Sequence, residues 1–167
     1  MIDLSKMSTE QVNPNTTEFS SMSIRQAIQV FNQENYNAVK CIEDQFDVLE
    51  QVIEITSQVL EDGGRIIYMG AGTSGRIGLL DAVECPPTFG VDYNTVVGLI
   101  AGGDNAFVKA VEGAEDSKEF GAEDLKKIQL TPRDVVIGLA ASGRTPYVIG
   151  GLEYAKEVGA KCCGVVC

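Results

Sequence analysis

The stretch Ile66-Ile67-Tyr68-Met69-Gly70-Ala71-Gly72-Thr73-Ser74-Gly75 contains the features that decide the fold. Its first four residues form a short apolar run typical of a buried strand, and the next six match GxGxxG and lead into a helical pattern. Similar apolar runs lie at 96–100, 135–140 and 162–167, and helical stretches lie near 75–83, 105–112, 118–128 and 146–158. Strands that alternate with helices predict an α/β fold, in which helices cover both faces of a parallel sheet.

The residues before this stretch predict two further segments. Residues 1–22 are polar and aperiodic, which indicates an extended arm. Ser23 and Gln26 form a capping-box pattern, and apolar residues at helical spacing follow until Asp62-Gly63-Gly64 ends the second of two helices. We therefore expect an arm at 1–22, a helical lead-in at 23–62 and an α/β domain at 63–167. Because the last apolar run reaches the end of the chain, we also expect that domain to be incomplete there.

Charge excludes some classes of partner. The chain of 167 residues has a net charge of −11, from 24 acidic and 13 basic residues. Nucleic acids and anionic membranes need clustered Lys and Arg, so neither is an expected partner. The apolar runs are also too short to span a bilayer. A small anion remains possible, because backbone amides and hydroxyls can bind it locally.

Cysteine and histidine usage bears on chemistry and location. The chain has no histidine, and its five cysteines have no CxxC spacing, which argues against a zinc site. We expect free, mostly buried thiols in a reducing, cytoplasmic compartment. Acid–base chemistry within this segment would have to use Glu, Asp, Lys, Tyr or Cys.

The glycine-rich loop after the first strand has three possible interpretations. A dinucleotide site would need an acidic residue at the end of the second strand, but that strand ends in Ala101-Gly102-Gly103, and Asp104 comes too late. A purely structural glycine turn is also possible. The adjacent hydroxyls of Thr73 and Ser74, flanked by Gly72 and Gly75 at a helix start, favour a compact phosphate instead.

A second loop, Ala140–Tyr147, follows the third strand and carries two more hydroxyls. Thr145 and Pro146 are typical of a helix N-cap and first helical residue, which on their own could be ordinary capping. Ser142 and Gly143 precede them. Both loops would lie at the carboxyl edge of a parallel sheet, where α/β folds bind ligands. Two helix starts and four hydroxyls could therefore hold one phosphate.

Several longer runs resemble the N-acetylmuramic acid 6-phosphate etherases. The most specific is Gly70–Arg76 followed by Leu80-Asp-Ala-Val-Glu84-Cys-Pro-Pro-Thr-Phe-Gly90. Gly98–Gly103, Ala110–Ser117 and Ala140–Leu152 are also similar. The resemblance extends over essentially the whole chain, and such proteins continue well beyond residue 167.

The resemblance implies a phosphosugar-binding, flavodoxin-like α/β sandwich in a cytoplasmic homodimer, with sites formed between subunits. It also implies a lyase that releases D-lactate from N-acetylmuramic acid 6-phosphate, in cell-wall amino-sugar recycling, without a metal or organic cofactor. By motif, Glu84 is the general acid and Glu115 the general base. We expect Cys85-Pro86-Pro87 and the apolar helix to shield Glu84 from water, which would raise its pKa as a general acid requires.

Two alternatives remain open. The first is a sugar-phosphate-binding regulator that resembles glucokinase regulatory protein and turns nothing over. The second is a sugar-phosphate isomerase. The Glu84-Cys-Pro-Pro run favours the lyase over both.

Overall fold

The computed structural model describes residues 7–167, so residues 1–6 of the predicted arm lie outside the described part. Contacts divide the chain into two compact units, Met1–Ile53 and Glu54–Cys167. The helices are α1 (Ile24–Lys40), α2 (Phe46–Glu61), α3 (Gly72–Phe89), α4 (Asn105–Val108), α5 (Lys118–Lys127) and α6 (Pro146–Val158). The strands are β1 (Ile66–Gly70), β2 (Val96–Ile100), β3 (Val135–Leu139) and β4 (Lys161–Val165). Among residues 7–167, no helix has both the length and the apolar character needed to cross a membrane.

In the first unit, short turns replace the extended arm that the sequence predicts. They are 3-10 turns at Ser8–Glu10, Pro14–Thr16 and Phe19–Ser21. The Phe19 ring meets the Phe31 ring of α1 edge to face, with centroids 5.5 Å apart. The capping box is confirmed, because the Ser23 amide donates to the Gln26 side chain (2.9 Å) and the Gln26 amide donates to Ser23 Oγ (3.4 Å).

The second unit is an α/β fold, as predicted, around a four-stranded parallel sheet in the order β2-β1-β3-β4. β1 and β3 are the central strands and pair in register, with Ile66 opposite Val135 and Gly70 opposite Leu139. Because parallel strands all end at one edge, the loops after β1 and β3 are neighbours. This pairing is what allows two separate sequence motifs to form one site.

The two faces of the sheet are covered by different helices. Ile67, Met69 and Val136 belong to a buried cluster with residues of α5 and α6, which pack against each other. On the other face, α3 packs on β1 and β2, and Val59 of α2 belongs to a smaller cluster with Val135 and Ile137. The result is a three-layer arrangement typical of doubly wound α/β domains.

At the amino edge of the sheet, Asp134 is a buried carboxylate with several donors. It accepts hydrogen bonds from the Arg65 backbone (2.9 Å) and guanidinium (2.8 Å), and from the amide and hydroxyl of Thr131 (2.8 and 3.1 Å). Arg65 also donates to the carbonyls of Ile128 and Gln129. These bonds join the starts of β1 and β3 to the end of α5.

Two helices differ from their predicted lengths. α3 continues to Phe89 although the prolines of Cys85-Pro86-Pro87 suggested an end near residue 83. Gly90 then ends it in the left-handed region (φ 68°), with its amide bonded to the Pro86 carbonyl at 2.9 Å. The helix predicted near 105–112 is the single turn α4, since its C-cap residue Lys109 already has extended backbone angles.

Candidate phosphosugar site

The loop after β1 brings the amino terminus of α3 against the sheet. Ala71 is the N-cap, and Thr73 and Ser74 lie in the first turn. A Cβ on Gly75 would stand 2.7 Å from both the Gly70 carbonyl oxygen and a side-chain carbon of Ile100. Only glycine allows α3 to begin this close to the strand end, so the free amides of its first turn face the sheet edge.

The loop after β3 is a second helix start. Gly143 has a positive φ (67°), and its amide donates to the Ala140 carbonyl at 2.9 Å. Thr145 is the N-cap of α6 with Pro146 as the first helical residue, as predicted, but the Thr145 side chain makes no capping bond. Its hydroxyl is therefore not committed to the helix.

Tyr147 anchors the first turn of α6 in the hydrophobic core. Its ring is fully buried, and its hydroxyl donates to Asp124 of α5 at 2.8 Å. Burial, followed by the hydrogen bond to Asp124 and the charge of that carboxylate, raises the pKa of Tyr147 far above its usual value. The phenol therefore stays neutral and acts as a fixed donor. Nothing in the sequence pattern singled out this role.

Between the two loops lies a cavity of about 220 Å³. Its lining residues are Ser74, Ile77, Leu139, Ala140, Ala141, Val165, Val166 and Cys167. The structure thus brings Ser74 next to the start of the β3 loop, as the sequence predicts. Thr73, Ser142 and Thr145 flank this position without lining the cavity. No hydrogen bond within residues 7–167 engages the four hydroxyls.

A larger cavity of about 500 Å³ lies elsewhere and does not combine these features. Pro132 and Arg133, which precede β3, and Lys161, the first residue of β4, contribute to its lining. It therefore lies at the amino edge of the sheet, away from both helix starts. Open parallel sheets bind ligands at the carboxyl edge, so the smaller cavity is the candidate site.

Glu115 lies on the side of this site where α6 begins. It is in the 3-10 turn Ala114–Asp116, which contacts α6. The neighbouring Ala114 is buried in the same cluster as Tyr147 and Val148 of the first turn of α6. The Glu115 side chain is exposed. A carboxylate is thus placed near the second loop without being enclosed by the chain itself.

Glu84 is not brought to the loops of its own chain. It is the thirteenth residue of α3, so it lies about 18 Å along the helix from Gly72, toward the opposite edge of the sheet. Its side chain is exposed. The helical stretch predicted near 75–83 would end just before Glu84, but α3 continues past Pro86 to Phe89. The prediction that it is shielded from water is also wrong, because it lies on the outer face of the helix.

Exposed side chains nevertheless form one continuous row along the outer face of α3. At the helical angle of 100° per residue, Glu84 shares a face with Leu80, Ile77 and Thr73. All four side chains are exposed, Ile77 by 61% and Leu80 by 55%. An apolar stripe therefore runs between the phosphate loop at one end and a carboxylate at the other.

The five cysteines are free, as predicted, but the prediction that most of them are buried is wrong, because two are exposed and three are partly exposed. They are Cys41, Cys85, Cys162, Cys163 and Cys167. Within residues 7–167, no cluster of three or more Cys, Asp or Glu side chains has the arrangement of a metal site.

Comparison with solved structures supports the fold. The phosphoheptose isomerase GmhA from Neisseria gonorrhoeae superposes with a TM-score of 0.69 and 17% identity, over 86% of this chain and 75% of that one. A phosphoheptose isomerase from Francisella tularensis gives a TM-score of 0.66, also at 17% identity, over 87% of this chain and 75% of that one. At this level of identity the similarity establishes the α/β fold alone.

Comparison with curated sequences supports the resemblance to the etherases. The N-acetylmuramic acid 6-phosphate etherases of Francisella philomiragia and Bacillus mycoides are each 54% identical over 164 residues. That of Francisella tularensis subsp. holarctica is 56% identical over the same length. Each alignment covers 98% of this chain and 56% of the relative, so the chain spans about half the length of the curated relatives it matches. The model of the glucokinase regulatory protein N-terminal SIS domain matches residues 47–156, most of the chain, and the chain therefore belongs to that family.

Proposed function

We propose that the full-length protein is a cytoplasmic lyase that cleaves the lactyl ether of N-acetylmuramic acid 6-phosphate. The products are N-acetylglucosamine 6-phosphate and D-lactate, and the role is recycling of cell-wall amino sugars. The observation that carries this proposal is the pair of helix starts on the adjacent strands β1 and β3. They form an anion site in a chain whose curated relatives at 54–56% identity are etherases of this specificity.

The phosphate would be held mainly by backbone amides and hydroxyls. The amides of Gly72, Thr73 and Ser74 begin α3, and two helix dipoles have their positive ends at the loops. Gly75 and Gly143 would shape the two turns, since their own amides donate to the Ala71 and Ala140 carbonyls. The hydroxyls of four residues complete this phosphate-binding arrangement, which we call the cradle: Thr73, Ser74, Ser142 and Thr145. This explains how a chain of net charge −11 can bind an anion.

The reaction then needs proton transfers only. In the open-chain sugar the aldehyde acidifies the C2 proton, and Glu115 removes it. The C3–O bond breaks, and lactate leaves with a proton from Glu84, which gives an unsaturated aldehyde. Water adds at C3, and a proton returns to C2. Each proton transfer by a positioned carboxyl group contributes about 10²–10⁴-fold in rate.

Glu84 would reach the substrate of a second subunit. An antiparallel pairing of two α3 helices about a two-fold axis between Ile77 and Leu80 would bury the apolar stripe. The same symmetry would set Glu84 of each chain opposite Thr73 of its partner. The lyase is thus a homodimer whose sites each combine the phosphate loops and Glu115 of one chain with Glu84 of the other.

The decisive experiment compares Glu84→Gln and Glu115→Gln in the full-length protein, supplied with N-acetylmuramic acid 6-phosphate. We expect each variant to release D-lactate about 10²–10⁴-fold more slowly than wild type, because each loses one proton-transfer group. Exchange of the C2 proton with deuterated water needs only the base. It should survive in the Glu84 variant and vanish in the Glu115 variant. Glu123→Gln, which alters an exposed carboxylate on α5, is the matched control and should be unchanged.

Other outcomes separate the alternatives. Tight binding of the sugar phosphate with neither lactate release nor proton exchange would indicate a regulator. The match to the glucokinase regulatory protein SIS domain is the reason to test for this outcome. Proton exchange with the lactyl ether left intact would indicate an isomerase. Exchange that persists without Glu115 and disappears without Glu84 would reverse the two roles.

A further inference from the structure

Arg76 lies in α3 directly after the phosphate loop, where an arginine would be expected to bind the phosphate. Its guanidinium is instead hydrogen-bonded to two backbone carbonyls. Nε donates to the Phe107 carbonyl at 2.8 Å, and Nη2 donates to the Ala106 carbonyl at 2.7 Å. Both acceptors are in α4, a single turn whose last carbonyls have no partner within the helix. Arg76 therefore caps the carboxyl end of α4, where a positive charge is also favoured by the helix dipole.

This contact fixes a segment that the sheet holds only at its start, where the Ala101 amide donates to the Gly70 carbonyl at 3.0 Å. Residues 101–117 connect β2 to α5 and contain α4 and the 3-10 turn that carries Glu115. Three small side chains anchor the segment in the core, Ala101 at 5% exposure, Ala106 at 3% and Ala114 at 8%. Arg76 adds charge-assisted hydrogen bonds at Ala106 and its neighbour, and it does so from the helix whose first turn forms the phosphate loop.

We propose that Arg76 is a positioning residue that sets the distance between the phosphate cradle and Glu115. This inference rests on the proposed function, in which Glu115 removes the C2 proton. Within residues 7–167, the bond from the Ala101 amide to the Gly70 carbonyl joins the start of the 101–117 segment to the phosphate loop, and the guanidinium of Arg76 supplies the side-chain hydrogen bonds between α3 and this segment. Loss of the guanidinium should misplace the base and leave the cradle intact.

The test uses Arg76→Met, Arg76→Lys and the control Arg133→Met in the full-length protein. Arg133 is exposed at the amino edge of the sheet, so the control removes a guanidinium far from both features. Three quantities are measured. They are the rate of C2 proton exchange in N-acetylglucosamine 6-phosphate, the Kd of that sugar phosphate, and amide hydrogen exchange at residues 105–116 by mass spectrometry.

For Arg76→Met we expect C2 exchange to slow by about 10- to 100-fold, the cost of a base displaced by about an ångström. The Kd should stay within about twofold, because the cradle is separate. Amides at 105–116 should exchange faster, because local opening becomes easier. Arg76→Lys, which keeps the charge but not the two-carbonyl geometry, should recover part of the rate, and Arg133→Met should match wild type.

Three results would overturn the positioning role. They are an unchanged C2 exchange rate in Arg76→Met, a Kd that rises in step with the loss of rate, and amide exchange at 105–116 identical to wild type. The second would make Arg76 part of the cradle. Absence of C2 exchange in the wild-type protein would instead overturn the proposed function, and amide exchange would still decide whether Arg76 holds the segment.

Discussion

Asp134 shows how one buried charge ties stability to pH. Burial by itself would raise the pKa of this carboxyl, but the hydrogen bonds and charge of Arg65, together with the Thr131 amide, outweigh it. The pKa therefore lies below its ordinary value of 3.8. Folding favours the ionised form, so its contribution to stability is complete above about pH 4 and is lost as the pH falls through the lowered pKa.

We predict that Asp134→Asn lowers the free energy of unfolding by about 3–5 kcal/mol at pH 7, because Arg65 is left with a neutral partner in a buried setting. The difference from wild type should shrink as the pH falls below about 4, because the unfolded wild-type chain then takes up a proton at this carboxyl that the folded chain does not. Urea unfolding followed by circular dichroism between pH 3 and pH 8 measures both effects. Glu153→Gln, which breaks the exposed ion pair with Lys118, should cost much less at every pH.

The role of a residue was predictable from the sequence only where it depends on neighbours within a few positions along the chain. The capping box at Ser23 and the N-cap position of Thr145 follow from side-chain chemistry within a few residues. The contacts of Arg76 and Tyr147 join residues 31 and 23 positions apart, so no local pattern reveals them. Glu115 was identified by family resemblance alone, and its catalytic role stays a prediction.

Among the elements, the junction between β1 and α3 is the most tightly constrained. We predict that Gly75→Ala destabilises the protein by about 1–3 kcal/mol, because the new methyl group would meet the Gly70 carbonyl and Ile100. It should also weaken sugar-phosphate binding, because α3 must shift away from the strand end. Thermal unfolding and titration with N-acetylglucosamine 6-phosphate measure these two effects.

Gly164→Ala in β4 is the matched control, since a Cβ there would have no atom within 4 Å. Its thermal unfolding and ligand affinity should be close to those of wild type. If Gly75→Ala behaved in the same way, the close approach of helix and strand would not be required for the site.

The strands and their class were predictable, but their order was not. All four predicted strands match the observed ones within two residues, because short apolar runs between turns are a strong local signal. Four such runs look alike, so nothing in them shows that β1 pairs with β3 as well as β2. The end of α3 was misjudged because Pro86 and Pro87 were read as a stop. α3 nevertheless continues through both prolines to Phe89, although neither can donate an amide hydrogen bond to the carbonyl four residues before it.

For the whole molecule, the position of Glu84 predicts complementation between subunits. Glu84→Gln and Glu115→Gln homodimers should each be nearly inactive in lactate release. A randomly mixed dimer population should recover about a quarter of wild-type activity, because half the dimers are mixed and each has one intact site of two. The measurement is lactate release after co-refolding of the two variants, or after their co-expression.

The control for complementation is a mixture of each variant with the double variant, which contains no intact site in any pairing and should recover nothing. If the mixed single variants also recovered nothing, although mixed dimers had formed, Glu84 and Glu115 would act from the same chain. The α3 pairing about a two-fold axis would then be wrong.

The strand order also has a kinetic consequence. Ile66 lies 30 residues from its partner in β2 and 69 from its partner in β3, and β3 lies 26 residues from β4. Pairing of distant segments is the slow part of folding, so the β1–β3 pairing should be the last to form. The helices, and sheets that lack the β1–β3 pairing, can form earlier. The two phosphate loops become neighbours only at that step, so in a refolding experiment the recovery of sugar-phosphate binding should lag behind the recovery of secondary structure.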